Sequence, residues 1–351
     1  MFFGCPLDCD EKHEAIQEKL NWNTAGPTVD DPLKPIVGML AQTVSHHRWR
    51  LGESIPVPGW LRPLPPAQER TRINLENYIG FLDRDGCLKY AQAVQNRVSQ
   101  SVLPDFPCLI TVDHALSGGV YRASAEHYGR RNLSLLILDS HTDAVPMSRL
   151  ANAILYDAET NANSVYNRND PYLHNRSESY NASSFIHYLL SDGTLDARDL
   201  YIIGISDYPG KKAFRVKDPR IEEYVAVYRA LQRRGATLIT RQDCQMQPTK
   251  VKRLLEKIRT PYVYLSIDMD IGARNALEGV RFKNWQGLSE RLIFRLASMI
   301  GQSGGHNLEL VGLDVAEINP RTAGQTLGDS VDRTYSIAAG LVNQLVFELA
   351  A

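Results

Sequence analysis

The sequence is poor in cysteine and has no long hydrophobic run, and each shortage excludes a class of protein. The five cysteines are odd in number and scattered through 351 residues, which argues against a disulfide framework. Cys5 and Cys9 could form a metal or redox pair, but no second pair supports that spacing. No stretch approaches the roughly 20 apolar residues that a membrane span needs. The first residues are too acidic, and their apolar run is too short, for a secretory signal. The sequence therefore predicts a cytoplasmic protein.

An excess of charge of one sign is also lacking. The chain has 39 Lys and Arg residues against 40 Asp and Glu residues, which gives a formal net charge of -1. Without a block of like charges, neither a nucleic-acid-binding face nor an acidic tail is expected. Hydrophobic residues make up 43% and charged residues 23%, as in ordinary soluble enzymes. We therefore expect a small-molecule partner rather than a nucleic acid or a membrane.

Strand-like and helix-like stretches alternate over most of the chain. This alternation predicts a parallel sheet covered by helices on both faces. The expected fold class is α/β, a single three-layer α/β/α domain with a mostly parallel sheet of about eight strands. Residues 1–106 are expected to pack a strand, helices and a proline-rich arm (48–66) on a core of residues 107–351. We expect residues 144–183 to form an irregular lid or substrate loop.

Three predicted strands end in carboxylates and histidines. The run Leu133 to Leu138 leads into Asp139, His141 and Asp143, and in extended backbone such alternate side chains point to one side. Two further runs, 107–112 and 262–267, end in the groups Asp113, His114, Asp268 and Asp270.

These polar groups are expected to meet at one edge of the sheet. In an open parallel sheet, ligands bind at the carboxyl ends of the strands. Burying several carboxylates together without a cation would cost many kcal/mol. The sequence therefore predicts a metal cluster at this edge.

The motifs resemble those of a known superfamily. The segments VDH (112–114), DSHTD (139–143) and SIDMD (266–270) resemble the three metal motifs of the ureohydrolases, which include arginases, agmatinases and formiminoglutamases. The resemblance implies an arginase-like fold and two metal ions, with manganese favoured by the oxygen-rich ligands and other divalent ions possible. One ion would take His114, Asp139, Asp143 and Asp268, and the other Asp139, His141, Asp268 and Asp270. Oligomers are common in this family, so a homo-oligomer is expected, and the proline-rich arm would suit a subunit contact.

The resemblance also implies a reaction. Two ions would share a water molecule and lower its pKa, and Asp143 would pass a proton to the leaving amine. In GLDVAEINP (312–320), Glu317 matches the glutamate that holds the flat cationic group of the substrate. Asp207 matches an acid that touches the far end of some substrates. The expected enzyme is a hydrolase of C–N bonds in linear amidines, of agmatinase, guanidinobutyrase or arginase type, which releases urea from a guanidino compound.

The sequence also departs from the family pattern. Thr111 and Val112 precede the first Asp-His pair, and Ala115 follows it, where the family usually has a glycine pair and a serine. In the loop after the second motif, NASSF (181–185) stands where arginases and agmatinases have a His-Gly pair that shuttles protons.

These departures leave the loop residues open. An amide cannot act as an acid or base, so Asn181 is a candidate for substrate binding only. His174, or else His187, is then the candidate proton carrier. The segment 272–275 replaces the usual Asp-Pro run after the third motif.

Three alternatives stay open at this stage. The first is a formiminoglutamase-like hydrolase that releases formamide. The second is a deacetylase-like amidohydrolase with a single zinc ion, although such an enzyme does not need all six ligands. The third is a metal-binding homologue that has lost catalysis.

Overall fold

A computed structural model describes most of the chain. The described residues are 1–22, 29–272, 277–283, 285–302, 308–327 and 330–348. Of the segment 272–275, which departs from the family pattern, only Gly272 lies within the described residues.

Seven parallel strands form the central sheet of the described chain, in line with the prediction of about eight. Their order is β1-β2-β7-β6-β3-β4-β5, and two short strands, β8 and β9, pair antiparallel with each other. The strands are β1 (Phe2–Cys5), β2 (Cys108–Thr111), β3 (Leu133–Leu138), β4 (Leu200–Ile205), β5 (Thr237–Thr240), β6 (Tyr262–Asp268), β7 (Glu309–Ala316), β8 (Thr326–Leu327) and β9 (Ser330–Val331).

Helices cover both faces of this sheet, as predicted. The helices are α1 (His13–Leu20), α2 (Leu33–Leu40), α3 (Leu75–Leu82), α4 (Gly86–Arg97), α5 (Ser117–Tyr128), α6 (Met147–Thr160), α7 (Phe185–Ser191), α8 (Pro219–Arg233), α9 (Arg241–Met246), α10 (Pro248–Leu255), α11 (Glu290–Gln302) and α12 (Thr334–Val342). One apolar core includes residues of α4, α5, α7 and α8, and a second includes residues of α2, α10, α11 and α12.

Strand β3 contributes to both cores because successive side chains point to opposite faces of a sheet. Leu135 and Ile137 belong to the first core, and Leu136 and Leu138 belong to the second. A strand that is buried on both faces has to be apolar throughout, which explains the unbroken apolar run before Asp139.

The strand register brings the three motifs together. Leu138 pairs with Ile267 across β3 and β6. The residues that follow them, Asp139 and Asp268, therefore lie side by side at the edge of the sheet. Asp268 in turn pairs with Ala316 of β7, the residue before Glu317. The neighbouring strand pair, β2 and β7, carries the Asp113-His114 pair to the same edge.

The prediction that residues 144–183 are irregular is wrong for their first part. Helix α6 occupies Met147–Thr160, and a 3-10 turn follows at Pro171–Leu173. Asn152, Asp157 and Thr160 have modest helix propensity and hide this helix in the sequence, whereas Leu150 and Ile154 mark one apolar face.

The N-terminal part of the chain joins the same sheet, because β1 pairs with β2. The proline-rich arm contains 3-10 turns, and Trp60 and Leu61 within it are buried against the chain itself. All five cysteines are buried and free, and Cys9 lies against Cys87, not Cys5, with the two sulfur atoms 3.4 Å apart. Among the described residues, no helix is both long enough and apolar enough to span a membrane.

Candidate metal centre

The first group of converging side chains surrounds the ring of His114. Its Nδ1 atom lies 2.8 Å from Asp143 Oδ2, 3.1 Å from Asp268 Oδ2 and 3.4 Å from Asp139 Oδ2. All four side chains are buried at the edge of the sheet. Three carboxylate oxygens and one imidazole nitrogen therefore point at one another across a space where a cation would fit.

A second group shares one carboxylate with the first. His141 Nδ1 lies 2.8 Å from Asp270 Oδ2 and 3.8 Å from Asp139 Oδ1. The two oxygens of Asp139 thus face different groups, as expected for a bridging ligand. Asp268 belongs to the first group only, so its predicted role as a second bridge stays a prediction.

The DSHTD motif does not aim all its side chains at one point, as an extended strand would. Asp143 joins the first group, whereas His141 joins the second and keeps 45% of its side chain exposed. Asp143 has a φ of +47°, a left-handed conformation that few residues other than glycine adopt. This local strain, together with a hydrogen bond from the His141 amide to Asp139 Oδ1 (2.6 Å), folds the motif around the site.

The residues present fit two divalent cations. Asp139 Oδ2 and Asp270 Oδ2 are buried oxygens that face the ring nitrogens of His114 (3.4 Å) and His141 (2.8 Å). Burial raises the pKa of Asp139 and Asp268 well above the usual range, and neighbouring carboxylates raise both further. Burial alone would lower the pKa of His114, but hydrogen bonds to three carboxylates raise it overall. So much negative charge in a buried place requires cations as partners, and carboxylate with imidazole is a donor set for hard divalent ions.

A hydrogen-bond chain fixes the orientation of His114 from behind. Its Nε2 atom lies 2.8 Å from Ser266 Oγ, which donates to Asp314 Oδ1 at 2.8 Å. Ser117 and Tyr264 also donate to the Asp314 carboxylate. Such support holds the imidazole in one orientation toward a metal. Sequence reasoning missed these residues, although Ser266 lies on the same face of β6 as Asp268 and could have been found from that alternation.

Glu317 stands beside the first group and lines the cavity above it. Its Oε1 atom accepts from the His114 amide at 2.9 Å and from Arg281 Nη1 at 3.2 Å. Its Oε2 atom is buried and has no partner. Burial raises the pKa of this carboxyl well above its usual range, against the opposing effect of Arg281. The φ of +61° at Glu317 is again left-handed, so the chain turns sharply to place this carboxylate.

Arg281 is a residue that sequence reasoning missed. Its guanidinium is buried and lies 3.0 Å from Asp113 Oδ2, 3.2 Å from Glu317 Oε1 and 3.8 Å from Asp8 Oδ1. No local pattern marks it, because its partners lie 36 residues or more away in the sequence. Its positive charge balances the carboxylates of Asp113 and Glu317.

Asp207 lines the cavity, and its contact with the far end of a substrate stays a prediction. Its two oxygens accept from Thr142 Oγ1 at 2.7 Å and from the Thr142 amide at 3.1 Å, so the carboxylate braces the DSHTD motif. Burial raises its pKa.

The structure does not bring the predicted loop residues into the cavity. His174 is exposed, and its Nε2 atom bonds the Arg168 carbonyl. His187 does not line the cavity and lies next to Ser191. Asn181 is buried in a small network with Ser179 and Ser184 instead of facing the cavity. Its neighbours Ala182 and Ser183 line the cavity in its place, because the turn before α7 directs the asparagine inward.

The candidate metal groups form the floor of a cavity of about 370 Å³. His141, Asp143, Asp268, Asp270 and Glu317 line this floor. The remaining wall is mainly apolar, and it includes residues of α6 and α8.

The model of the arginase family matches residues 68–348. The chain belongs to the arginase family. The family uses a binuclear metal centre, and its hydrolases act on C–N bonds.

Solved structures of other members share the fold of this arginase-family protein. The arginase of Bacillus subtilis is 17% identical, covering 99% of this chain and 97% of that chain, with a TM-score of 0.58. Formiminoglutamase of Trypanosoma cruzi with Mn²⁺ is 12% identical, covering 100% and 93%, with a TM-score of 0.58. Proclavaminate amidino hydrolase of Streptomyces clavuligerus is 16% identical, covering 99% and 91%, with a TM-score of 0.55. Among curated proteins, none matches.

Proposed function

We propose that the protein hydrolyses a C–N bond of a guanidino or amidino compound and uses two divalent cations, preferably Mn²⁺, to do so. The observation that carries this proposal is the pair of carboxylate-imidazole groups joined through Asp139 at the floor of the cavity. The six residues that would hold the cations are His114, Asp139, His141, Asp143, Asp268 and Asp270. When bound, such cations supply Lewis acidity and make a water molecule acidic enough to attack near neutral pH.

Glu317 is suited to bind the reacting group of the substrate. Its Oε2 atom is buried and unpartnered, so it can accept an N–H from a flat cation. Arg281 and the His114 amide hold the other oxygen, which fixes the plane of the carboxylate. A guanidinium or amidinium above Glu317 would then lie next to the floor of the cavity.

Asp143 is the candidate proton carrier. It lines the cavity, and its Oδ2 atom lies 2.8 Å from His114 Nδ1. A carboxylate held this way can accept a proton and release it to the leaving amine within the same turnover. His174 is exposed and does not line the cavity, so we do not assign it this role.

A product assay tests the proposal. Manganese-loaded protein is incubated with arginine, agmatine, guanidinobutyrate, guanidine and formiminoglutamate, while urea, formamide and ammonia are followed together by NMR. Urea from a guanidino compound is the expected result. Asp268→Ala should abolish both metal binding and turnover, whereas Asp196→Ala, at an exposed carboxylate remote from the cavity lining, should change neither.

The same assay separates the alternatives. Formamide from formiminoglutamate would move the substrate to the formimino class, a second candidate supported by Asn181 standing where arginases have a shuttle histidine. Two bound metal equivalents without any turnover would favour a non-catalytic homologue. A single-zinc amidohydrolase is disfavoured, because a second group of Asp139, His141 and Asp270 stands beside the first. Full activity of the Asp268→Ala protein would contradict the whole assignment.

A further inference from the structure

Two helix faces contribute to the wall of the cavity. On α6, Leu150, Ala153 and Ile154 line the cavity, and their spacing of three and one places them on a single face. On α8, Ile221 and Tyr224 line it in the same way. Leu150, Ala153 and Ile154 are only half-buried, so this apolar face of α6 is open to a ligand.

Three polar side chains of the lining, Asp157, Asp207 and Tyr224, already have partners. Asp207 accepts from Thr142 Oγ1 at 2.7 Å and from the Thr142 amide at 3.1 Å. Asp157 follows Ile154 on the same face, but its two oxygens accept from Asn161 Nδ2 (3.0 Å) and Ser164 Oγ (2.7 Å). The hydroxyl of Tyr224 lies 2.8 Å from that of Tyr228.

Cations are also scarce at this wall. Among the lining residues that the structure describes, Lys12 has the one lysine or arginine cation, and its Nζ atom lies 3.9 Å from the ring centroid of Phe282.

We propose that the substrate carries an apolar tail, aliphatic or aromatic, which lies between α6 and α8 while its planar head lies at Glu317. This inference rests on the proposed function and narrows its substrate class. A tail that ended in an amino-acid group would lose hydration against Leu150 and Ile154, and the Asp157 carboxylate on that face already accepts two hydrogen bonds. An alkyl tail would instead replace water along the wall, and the volume of about 370 Å³ lies within the range of small-molecule sites.

Ligand-observed NMR titrations of manganese-loaded protein test this. The ligands are n-alkylguanidines from propyl to octyl, with agmatine and arginine as polar counterparts. Dissociation constants should fall about fourfold for each added methylene until the cavity is full. Agmatine and arginine should bind more weakly than alkylguanidines of the same length. The spectra also show any urea formed, so binding and turnover are read separately.

Two variants of Ala153 test whether the tail lies against α6. Ala153→Asp should remove the gain in affinity with chain length. Ala226→Asp, the same change at an exposed position of α8, should keep that gain. Ala153→Leu keeps the wall apolar but fills space, so it should bind short chains normally and lose the gain for long ones. Ala153→Leu still tests the position of the tail if Ala153→Asp prevents folding.

The series of n-alcohols, which lack the planar head, separates the two proposals. If alcohols gain affinity with length but no guanidine binds, the tail site stands and the proposed function falls. If guanidines bind equally at every length, the tail inference is overturned and the proposed function stands. If neither series binds, both are overturned.

Discussion

Replacing Arg281 by alanine should destabilise the fold strongly. The guanidinium is 5% exposed and contacts Asp113 and Glu317, whose side chains are 3% and 1% exposed. Its third partner, Asp8, keeps Arg321 at 2.7 Å and Lys19 at 3.3 Å, so the loss falls mainly on the first two carboxylates. Removing one partner of a buried ion pair costs about 3–5 kcal/mol, because a buried charge is left uncompensated.

Urea unfolding of metal-loaded protein, followed by the fluorescence of its four tryptophans, measures this cost. The matched control is Arg198→Ala, which breaks an ion pair to Asp196 whose side chains are 76% and 44% exposed. Exposed pairs contribute about 0–1 kcal/mol, so this control should barely change the free energy of unfolding. Adding Asp113→Asn to the Arg281→Ala variant should recover part of the loss by removing one unpaired charge.

A loss of less than about 1 kcal/mol in Arg281→Ala, equal to that of the surface control, would refute the reasoning. It would mean that Asp113 and Glu317 find other partners or become protonated at little cost. Arg281→Lys should fall between the two, since it keeps a charge but cannot reach Asp113 and Glu317 together with a planar fork.

Three further predictions concern the metals and the cysteines. Asp139→Asn should lower the metal content from two equivalents to one or none, because both candidate metal groups use this carboxylate. Elemental analysis after dialysis measures the metal content, and a full complement of two metals would contradict the shared role. Chelation should lower the melting temperature and added Mn²⁺ should restore it, since the cations bind only the folded site; an unchanged melting temperature would count against a metal centre. Burial raises the pKa of the Cys244 thiol to about 12, whereas an unfolded thiol titrates near 8.5. The buried, protonated thiol therefore stabilises the fold fully below about pH 8.5, and this stabilisation is lost as the pH rises toward 12. Between pH 7.5 and 9.5 the wild type should lose about 1.4 kcal/mol more stability than Cys244→Ala, and equal losses in urea titrations would refute this.

The sequence allowed much of the fold and the candidate metal groups to be predicted. Buried parallel strands are apolar on both faces, so their runs and the polar residues that end them stand out over a few residues. Asp139, His141, Asp268 and Asp270 lie where those runs end, and the register of β3 and β6 places them together. Helix α6 escaped because Asn152, Asp157 and Thr160 interrupt its helix-forming residues.

The loop residues could not be placed from sequence. His174, His187 and Asn181 lie within about 45 residues of the DSHTD motif, but their positions depend on how the chain turns before α7. Hydrogen bonds within the loop direct Asn181 toward Ser179 and Ser184, and they leave His174 at the surface. Chemical type alone could not distinguish a histidine in the cavity from one outside it.

By itself, the sequence determined the apolar strands, the helices between them and the carboxylate and imidazole groups that end the strands, because each depends on neighbours a few positions away. Only the tertiary structure decided which groups share a cation site, that Arg281 braces Glu317, and that α6 and α8 wall the cavity. Those facts depend on contacts between segments tens to hundreds of residues apart. Such contacts are fixed by how the layers pack, and no short pattern in the chain records them.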